Sequence, residues 1–444
     1  DPGTGLRVCR GDGGVETDGG ADTDAGTDTD AGTDTDAGQM MTDDGGTGGQ
    51  WIAQRYKLNA PRTLAGFASL GRYLYVVGGN DGKGPVKTVE RAIVLDPQQA
   101  PVVLDIDIAP GNGMGIGGGM WTYRVAALMD PNDADNPGGE TLPSDVVSLQ
   151  LPDLPQKAQV TLFWNPVAGA VGYRVYRTAM ANQSAGQEQL LAEVMGGNTL
   201  EYTDMGGMTT ATSPLAQGST GKWRKLADLG FARESPSVAF GTDPIDPTNK
   251  YLYAALGRDM NPFQSYEFLT IKINNRQQQV PANAWTAGSV TAGTKRYQAA
   301  IYSADNANCS FVPAGSNYIY LGGGTADGTS ATNSLEAAKV QSGGQLAAFM
   351  SANMSGVKSF GMGFVTAANY LYTFGDQMPS KSITAGQIIM GSAPSVGNFN
   401  SNGPGVMTPR YLPGVALQNA LIYIVGGSDN GMSGATTSVE WMIW

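Results

Sequence analysis

Residues Tyr73-Leu-Tyr-Val-Val-Gly-Gly79 form a short alternating run of aromatic and aliphatic side chains that ends in two glycines. Such alternation predicts a β-strand, and the glycine pair predicts a tight turn in conformations that other residues avoid. The pattern recurs at Tyr251-Leu-Tyr-Ala-Ala-Leu-Gly257, Tyr318-Ile-Tyr-Leu-Gly-Gly-Gly324, Tyr370-Leu-Tyr-Thr-Phe-Gly375 and Leu421-Ile-Tyr-Ile-Val-Gly-Gly427. A strand unit that recurs in this way indicates an all-β repeat architecture.

The repeated units share residues outside the aromatic strand. These are an upstream arginine, a later glutamate and a tryptophan that opens the next unit, namely Arg62, Arg296 and Arg410, Glu90, Glu336 and Glu440, and Trp223 and Trp285. With these residues the units resemble kelch repeats, although the units of Tyr251 and Tyr370 depart from the pattern. The resemblance implies a β-propeller with one four-stranded blade per repeat.

Spacing predicts five blades in residues 51–99 and 207–444. Without residues 1–50 and 100–206, about 57 residues remain for each of five units, close to the ~50 of a kelch repeat. The last unit lacks its final strand, whereas Trp51-Ile-Ala-Gln-Arg-Tyr-Lys-Leu58 precedes the first unit without a partner. We expect these two ends to pair, because closing the ring removes exposed sheet edges.

Residues 100–206 interrupt the repeats and form a separate block of strand signals. The block is similar to the fibronectin type III sandwiches of bacterial and phage surface proteins, with a rotated strand order. The resemblance implies that Trp164 and Tyr173 are core residues. An inserted β-sandwich is expected here, since surface loops tolerate long insertions.

Residues 1–50 form an acidic, low-complexity tail. It contains twelve acidic residues and two arginines, and therefore ten of the twelve net negative charges of the chain. With few apolar side chains, the segment is predicted to be a solvated tether. Its repeated Asp-x-Asp-x-Gly pattern also suits calcium, but a third Asp and a distal Glu are missing, so a linker is favoured. The calcium candidates are Asp22, Asp24, Asp28, Asp30, Asp34 and Asp36.

The two cysteines and the tail threonines are candidate modification sites. Cys9 and Cys309 allow one disulfide, which would pin the tail to the propeller in an oxidising compartment. The alternatives are a lipid anchor at Cys9 and a free, buried Cys309. The threonines available for O-glycosylation are Thr23, Thr27, Thr29, Thr33 and Thr35.

Composition argues against several classes of function. The chain contains no histidine, which is the commonest general base and metal ligand. The copper site of kelch-type oxidases such as galactose oxidase needs histidine ligands, so that activity is not expected. The body is nearly neutral and has no basic stripe, so nucleic-acid binding is not expected. No apolar run is long enough to span a bilayer.

The favoured interpretation is a non-catalytic, extracellular bacterial surface protein. It would bind other proteins or glycans through propeller loops, and no cofactor is expected apart from calcium in the tail. The candidate loops are rich in Asn, Asp and Gly and comprise Gly79–Val86, Thr325–Thr332 and Ser428–Thr436. One alternative is a structural subunit of an extracellular filament or phage appendage that assembles with copies of itself through the tail. The other is a propeller hydrolase.

Overall fold

The repeated apolar strands pair into small antiparallel sheets in a computed structural model of the protein. The structure describes residues 55–153, 155–274, 277–278, 284–306, 309–354, 362–365, 369–374, 381, 383–390, 395–401, 405–407, 409, 414–418, 421–425 and 439–443. Among these residues, no helix has the length and apolar character needed to cross a membrane.

The first repeat and the insertion supply the first eleven strands. The first repeat contains β1 (Gly66–Leu70), β2 (Tyr73–Val77) and β3 (Val89–Ile93), followed by a 3₁₀ turn at Pro97–Gln99. The insertion contains β4 (Val103–Pro110), β5 (Gly119–Met129), β6 (Val147–Leu151), β7 (Ala158–Trp164), β8 (Ala170–Thr178), β9 (Glu188–Met195) and β10 (Glu201–Asp204). After it, β11 (Arg224–Lys225) pairs with β3 and completes the first blade.

The remaining repeats supply four further sheets. The second contains β12 (Ser237–Thr242), β13 (Asn249–Ala255), β14 (Tyr266–Asn274), β15 (Gln277–Gln278) and β16 (Thr286–Ala287). The third contains β17 (Ala300–Asp305), β18 (Asn317–Gly322), β19 (Ser334–Lys339) and β20 (Met350–Asn353). The fourth contains β21 (Met362–Val365), β22 (Tyr370–Phe374), β23 (Ile383–Gln387) and β24 (Asn400–Ser401), and the fifth contains β25 (Gly414–Gln418), β26 (Leu421–Val425) and β27 (Val439–Ile443).

These sheets have the architecture predicted for a β-propeller with five blades. Each sheet runs from an inner strand through the aromatic strand to the outer strands, as in the order β1-β2-β3-β11. The inner strands β1, β12, β17, β21 and β25 contact one another in succession. Of the predicted closing strand, residues 51–54 lie outside the described residues. Residues 55–58 are described and form no strand, and Arg55 instead makes an ion pair with Glu140 of the insertion.

The central strands are buried on both faces because each blade packs between its neighbours. In β2, β13 and β18 the second tyrosine of the repeat is fully buried, at Tyr75, Tyr253 and Tyr320. Burying a large apolar side chain contributes roughly 1.5–3 kcal/mol relative to leaving it exposed. The aromatic alternation of the repeats therefore stabilises the contacts between blades as well as each blade itself.

The insertion is a β-sandwich with its own core. One sheet has the order β10-β7-β4 and the other has the order β6-β5-β8-β9. Trp164 and Tyr173 are buried between them, with ring centroids 5.3 Å apart. After β10 the chain still follows the sandwich, because the amide of Thr210 donates to the carbonyl of Leu190 at 2.8 Å.

A buried arginine joins the sandwich to the first blade. The Arg91 guanidinium donates to the carboxylate of Asp135 in a sandwich loop, at 2.8 Å. The Tyr73 hydroxyl donates to the same carboxylate at 2.8 Å, and the guanidinium lies over the Tyr73 ring. Because Arg91 is buried, removing Asp135 would leave an uncompensated charge at this junction.

Candidate functional site

The tail residues singled out by their sequence lie outside the described residues. They are Asp22, Asp24, Asp28, Asp30, Asp34, Asp36, Cys9, Thr23, Thr27, Thr29, Thr33 and Thr35. Cys309 is buried and has no disulfide partner among the described residues, and burial raises the pKa of its thiol. Because Cys9 lies outside those residues, the Cys9–Cys309 disulfide stays a prediction. The described residues contain no group of three or more acidic or cysteine side chains placed to hold a metal ion.

A tight glycine turn follows the aromatic strand in each of the first three blades. Gly79 and Gly324, the second glycines of their pairs, have φ values of 105° and 88°. A Cβ atom on either residue would lie 2.7 Å from a backbone oxygen, that of Thr63 or of Tyr297. The glycine pairs are thus required by both the backbone conformation and the close approach of the inner segment.

The second blade makes the same turn with a different residue. Leu256 stands where the other two blades have the first glycine, and its φ is 56°. Its side chain is fully buried in the core between the second and third blades. Gly257 follows with a φ of 81°. The repeat that looked degenerate in sequence therefore keeps the turn of its neighbours.

Three buried ion pairs hold these turns. They are Arg62–Glu90, Arg233–Glu267 and Arg296–Glu336. In the second blade the Arg233 guanidinium also donates to the Leu256 carbonyl at 2.6 Å and thereby fixes the end of the aromatic strand. Burial lowers the pKa of Arg233, whereas the charge of Glu267 raises it. Removing either partner would leave a buried charge without compensation.

The repeat pattern in the sequence did not identify the Arg233–Glu267 pair. Glu267 lies 16 residues after the first tyrosine of its repeat, compared with 17 and 18 residues in the first and third repeats, so its spacing could have identified it. Arg233 could not be identified in this way, because the distance from the arginine to that tyrosine varies from 11 to 22 residues among the three repeats.

The fourth blade departs from the other blades at the glutamate position. By strand register, Thr384 pairs with Thr373 at the place where Glu90 pairs with Val76 in the first blade. The two threonine hydroxyls share a hydrogen bond of 2.6 Å. A neutral hydroxyl pair therefore replaces the buried carboxylate in this blade.

Three loops lie together at one end of the propeller, and with residues 231–235 and 294–298, which precede β12 and β17, they form what we call the loop face. The loops connect the aromatic strand to the third strand of the first three blades, at residues 78–88, 256–265 and 323–333. The Gly79 amide donates to the Arg233 carbonyl at 2.8 Å, and the Arg296 amide donates to the Phe263 carbonyl at 3.0 Å. Each of the first two loops is thus tied to the next blade. The third candidate segment, Ser428–Thr436, lies outside the described residues.

A polar network runs across the loop face. The Asn80 amide and the Arg258 guanidinium both donate to the carboxylate of Glu234, each at 2.7 Å. Arg258 also lies over the Tyr297 ring, 4.4 Å from its centroid, and donates to its hydroxyl at 3.0 Å. These contacts connect three successive blades and hold the side chains in defined positions.

Apolar side chains project beside this network. Met260 is 91% exposed and Phe231 is 55% exposed. The Phe231 ring packs against Phe263 of the same blade, with centroids 6.2 Å apart. Met, aromatic residues and Arg are enriched in protein interfaces, so this part of the loop face is suited to contact with a partner.

Comparison with known proteins supports the repeat assignment. Residues 61–91 match the Kelch motif, a segment that contains the Arg62–Glu90 pair and the glycine turn of the first blade. No curated protein matches the chain. Among solved structures, a chain titled "Structure of YjhT" is 9% identical, with a TM-score of 0.37, and the match covers 87% of this chain and 96% of that one. The match covers one repeat, and the turn and the buried Arg–Glu pair of that repeat recur in the next two blades of the propeller.

Proposed function

We propose that this protein is a non-catalytic binding protein that recognises other proteins or glycans through its loop face. The observation that carries the proposal is the exposure of Met260 and Phe231 directly beside the network of Asn80, Glu234 and Arg258. Such a surface offers apolar area for burial together with fixed hydrogen-bonding groups that select an orientation.

A non-catalytic role is supported by the burial and ion pairing of the repeated arginines. A hydrolase of the propeller type would need arginines that reach a substrate. Arg233 and Arg296 are buried, and each is held by a glutamate of its own blade at 3.1 Å. These charges are used to fix the turns, and a substrate would have to displace a buried ion pair to reach them.

The extracellular bacterial setting rests on composition and on the insertion. Charged residues make up 15% of the chain, and its 63 glycines occur mainly with small polar residues. The insertion is a β-sandwich of three and four strands, which supports the likeness to fibronectin type III domains of bacterial surface proteins. The alternative of a filament subunit concerns the tail, which lies outside the described residues.

Introducing negative charge into the apolar part of the loop face tests the proposal. The full chain, the double variant Met260→Asp with Phe231→Asp, and the control Met208→Asp are compared on a glycan array and on a panel of purified bacterial surface proteins. Met208 is a matched control because it is 93% exposed and follows the sandwich strands rather than the loops. We expect the double variant to lose binding and Met208→Asp to keep it, with unchanged melting temperatures for both.

Two outcomes would contradict this assignment. Equal binding by the double variant and the native chain would show that the loop face is not the binding surface. Binding that disappears when residues 1–50 are removed, while the double variant still binds, would assign recognition to the tail and favour the filament interpretation.

A further inference from the structure

The inserted sandwich leaves one strand edge open. Strand β4 ends the sheet of order β10-β7-β4, and six of its eight residues are exposed. In the other sheet, the edge strand β9 is covered by the segment that follows β10, because Leu190 and Thr210 form a bridge. Among the described residues, no strand pairs with the second side of β4. This edge is therefore accessible to a further strand.

The hydrogen-bond register shows which backbone groups face the open edge. The Gly111 amide donates to the Lys157 carbonyl at 3.1 Å, in continuation of the register between β4 and β7. Because hydrogen-bonded pairs alternate along an antiparallel ladder, the odd-numbered residues from 105 to 109 bond to β7. The amides and carbonyls of Ile106 and Ile108 therefore point to the open edge. The Ile106 amide donates to the neighbouring Asp105 carboxylate at 2.8 Å, whereas the Ile108 groups are available to an incoming strand.

Apolar side chains lie along this edge. Val102 is 56% exposed, Leu104 is 66% exposed and Ile108 is 52% exposed. Ile108 lies opposite the buried Val160 of β7, so its side chain is at the margin of the sandwich core. An added strand would extend this core and cover the exposed part of Ile108.

The outer face of the same sheet is acidic. Asp105 and Asp107 lie opposite Phe163 and Thr161, which alternate along β7 with the residues that face the core. Glu201 of β10 lies opposite Phe163 on the other side of β7. All three acidic residues are exposed, and none of them forms an ion pair among the described residues. Two carboxylates spaced two residues apart on one strand are complementary to basic side chains with the same spacing on a neighbouring strand.

This charge decides between possible occupants of the edge. Residues 1–50 contain twelve acidic residues and two arginines, so the tail of this chain or of another copy would be repelled. A second copy is also disfavoured, because an antiparallel pairing of two β4 strands centred on Ile106 or Asp107 places aspartates opposite aspartates. A basic strand from a different protein meets neither repulsion.

We propose that β4 accepts an extended segment of another protein as an added strand, and that this segment carries lysine or arginine at alternate positions with aliphatic residues between them. The basic side chains would contact Asp105 and Asp107, and the aliphatic side chains would cover Ile108. In strand addition, main-chain hydrogen bonds provide affinity and the alternate side chains provide specificity. The site lies in the insertion rather than in the propeller loops, so it goes beyond the proposed function.

Synthetic peptides test strand addition on the full chain. The probe is a fluorescein-labelled peptide of sequence Thr-Val-Lys-Val-Lys-Val-Thr, and its binding is measured by fluorescence anisotropy at low ionic strength. One control peptide has glutamate in place of both lysines. The other carries an N-methyl group on the central valine, which removes an amide that would bond to β4. We expect the lysine peptide to bind, the glutamate peptide to show no binding, and the N-methylated peptide to bind about tenfold more weakly. Added salt should weaken binding of the lysine peptide.

Variants of β4 locate the binding site. Ile108→Pro removes the amide on the open side, where an edge strand tolerates proline, and should weaken binding of the lysine peptide about tenfold. Ile108→Val keeps the amide and should bind within about twofold of the native chain. Asp107→Asn should weaken binding about two- to fivefold, whereas the matched control Asp259→Asn, at an exposed aspartate of the loop face, should leave it unchanged. Bound lysine peptide should also slow hydrogen exchange in residues 103–110.

Three outcomes would overturn the proposal. Absence of binding by the lysine peptide would show that the aspartates serve only to keep the edge unpaired. Equal binding of the lysine and N-methylated peptides would reduce the interaction to surface charge. Dimerisation of the chain that slows exchange in residues 103–110 would assign the edge to a second copy. Because the control peptides leave the protein unchanged, the test holds even if Ile108→Pro fails to fold.

Discussion

Ser235 is a position at which a single substitution should stabilise the propeller. Its φ is 51°, in the left-handed region, and the corresponding residues Leu64 and Gln298 of the neighbouring blades have φ values of 51° and 56°. Ser235 is also 8% exposed, and its hydroxyl has no hydrogen-bond partner among the described residues. Ser235→Gly would remove both the strained conformation and the unpaired buried hydroxyl.

The expected gain follows from three contributions. Relief of the left-handed conformation is worth about 1–2 kcal/mol, and removal of an unsatisfied buried hydroxyl is worth about 1–3 kcal/mol. The greater freedom of glycine in the unfolded chain opposes them by about 0.5–1 kcal/mol. The free energy of unfolding should therefore rise by about 1–4.5 kcal/mol for Ser235→Gly.

Urea unfolding followed by tryptophan fluorescence measures this gain. Ser237→Gly is the matched control, since the Ser237 hydroxyl donates to the Ala299 carbonyl at 2.8 Å and the residue lies in the extended strand β12. The control should lose about 1–2 kcal/mol. Ser235→Ala should gain less than Ser235→Gly, because alanine keeps the strained backbone. If Ser235→Gly were no more stable than the native chain, neither the strain nor the unpaired hydroxyl would have the energetic weight assigned to it.

Two further predictions concern a turn and a buried carboxylate. Gly79→Ala should destabilise the chain by about 2–4 kcal/mol in urea unfolding, because its Cβ would lie 2.7 Å from the Thr63 backbone oxygen. The control Gly82→Ala should cost about 1 kcal/mol, because Gly82 has a φ of 90° but open space around its Cβ position. Equal costs would contradict the close approach. Burial alone would raise the pKa of Asp243, but hydrogen bonds from the Tyr251 hydroxyl and backbone amides outweigh it and lower the pKa below 3.8. The native chain should therefore be more stable than Asp243→Asn at pH 7, and this advantage should shrink as the pH falls below about 4; an advantage that is equal at pH 7 and pH 3 would refute the assignment.

The repeat architecture was predictable because its signals are local. Alternating aromatic residues and the Gly78–Gly79 pair act within a few neighbours, so they predict strand and turn wherever they occur. The all-β class and the blade-like sheets are confirmed. The insertion was also visible in sequence, since residues 100–206 break the repeat and contain their own strand signals.

The candidate site was only partly predictable. Two of the three loops chosen for their Asn, Asp and Gly content, Gly79–Val86 and Thr325–Thr332, are part of the loop face. The loop of the second blade, which carries Met260 and Arg258, was not chosen because it has no run of such residues. Exposure of an apolar side chain is a property of the folded surface, and no local pattern distinguishes it from burial.

Tertiary packing alone decided which distant residues act together. Loops of unequal length separate Arg233 from the aromatic strand that it supports, so counting along the chain does not reveal the pair with Glu267. Phe263 and Thr332 have no common local sequence, and their equivalence appears only in the hydrogen bond that each makes to a turn glycine. Hydrophobic alternation specifies how each strand folds, but tertiary packing determines which side chain covers a guanidinium, as Phe263 covers Arg233.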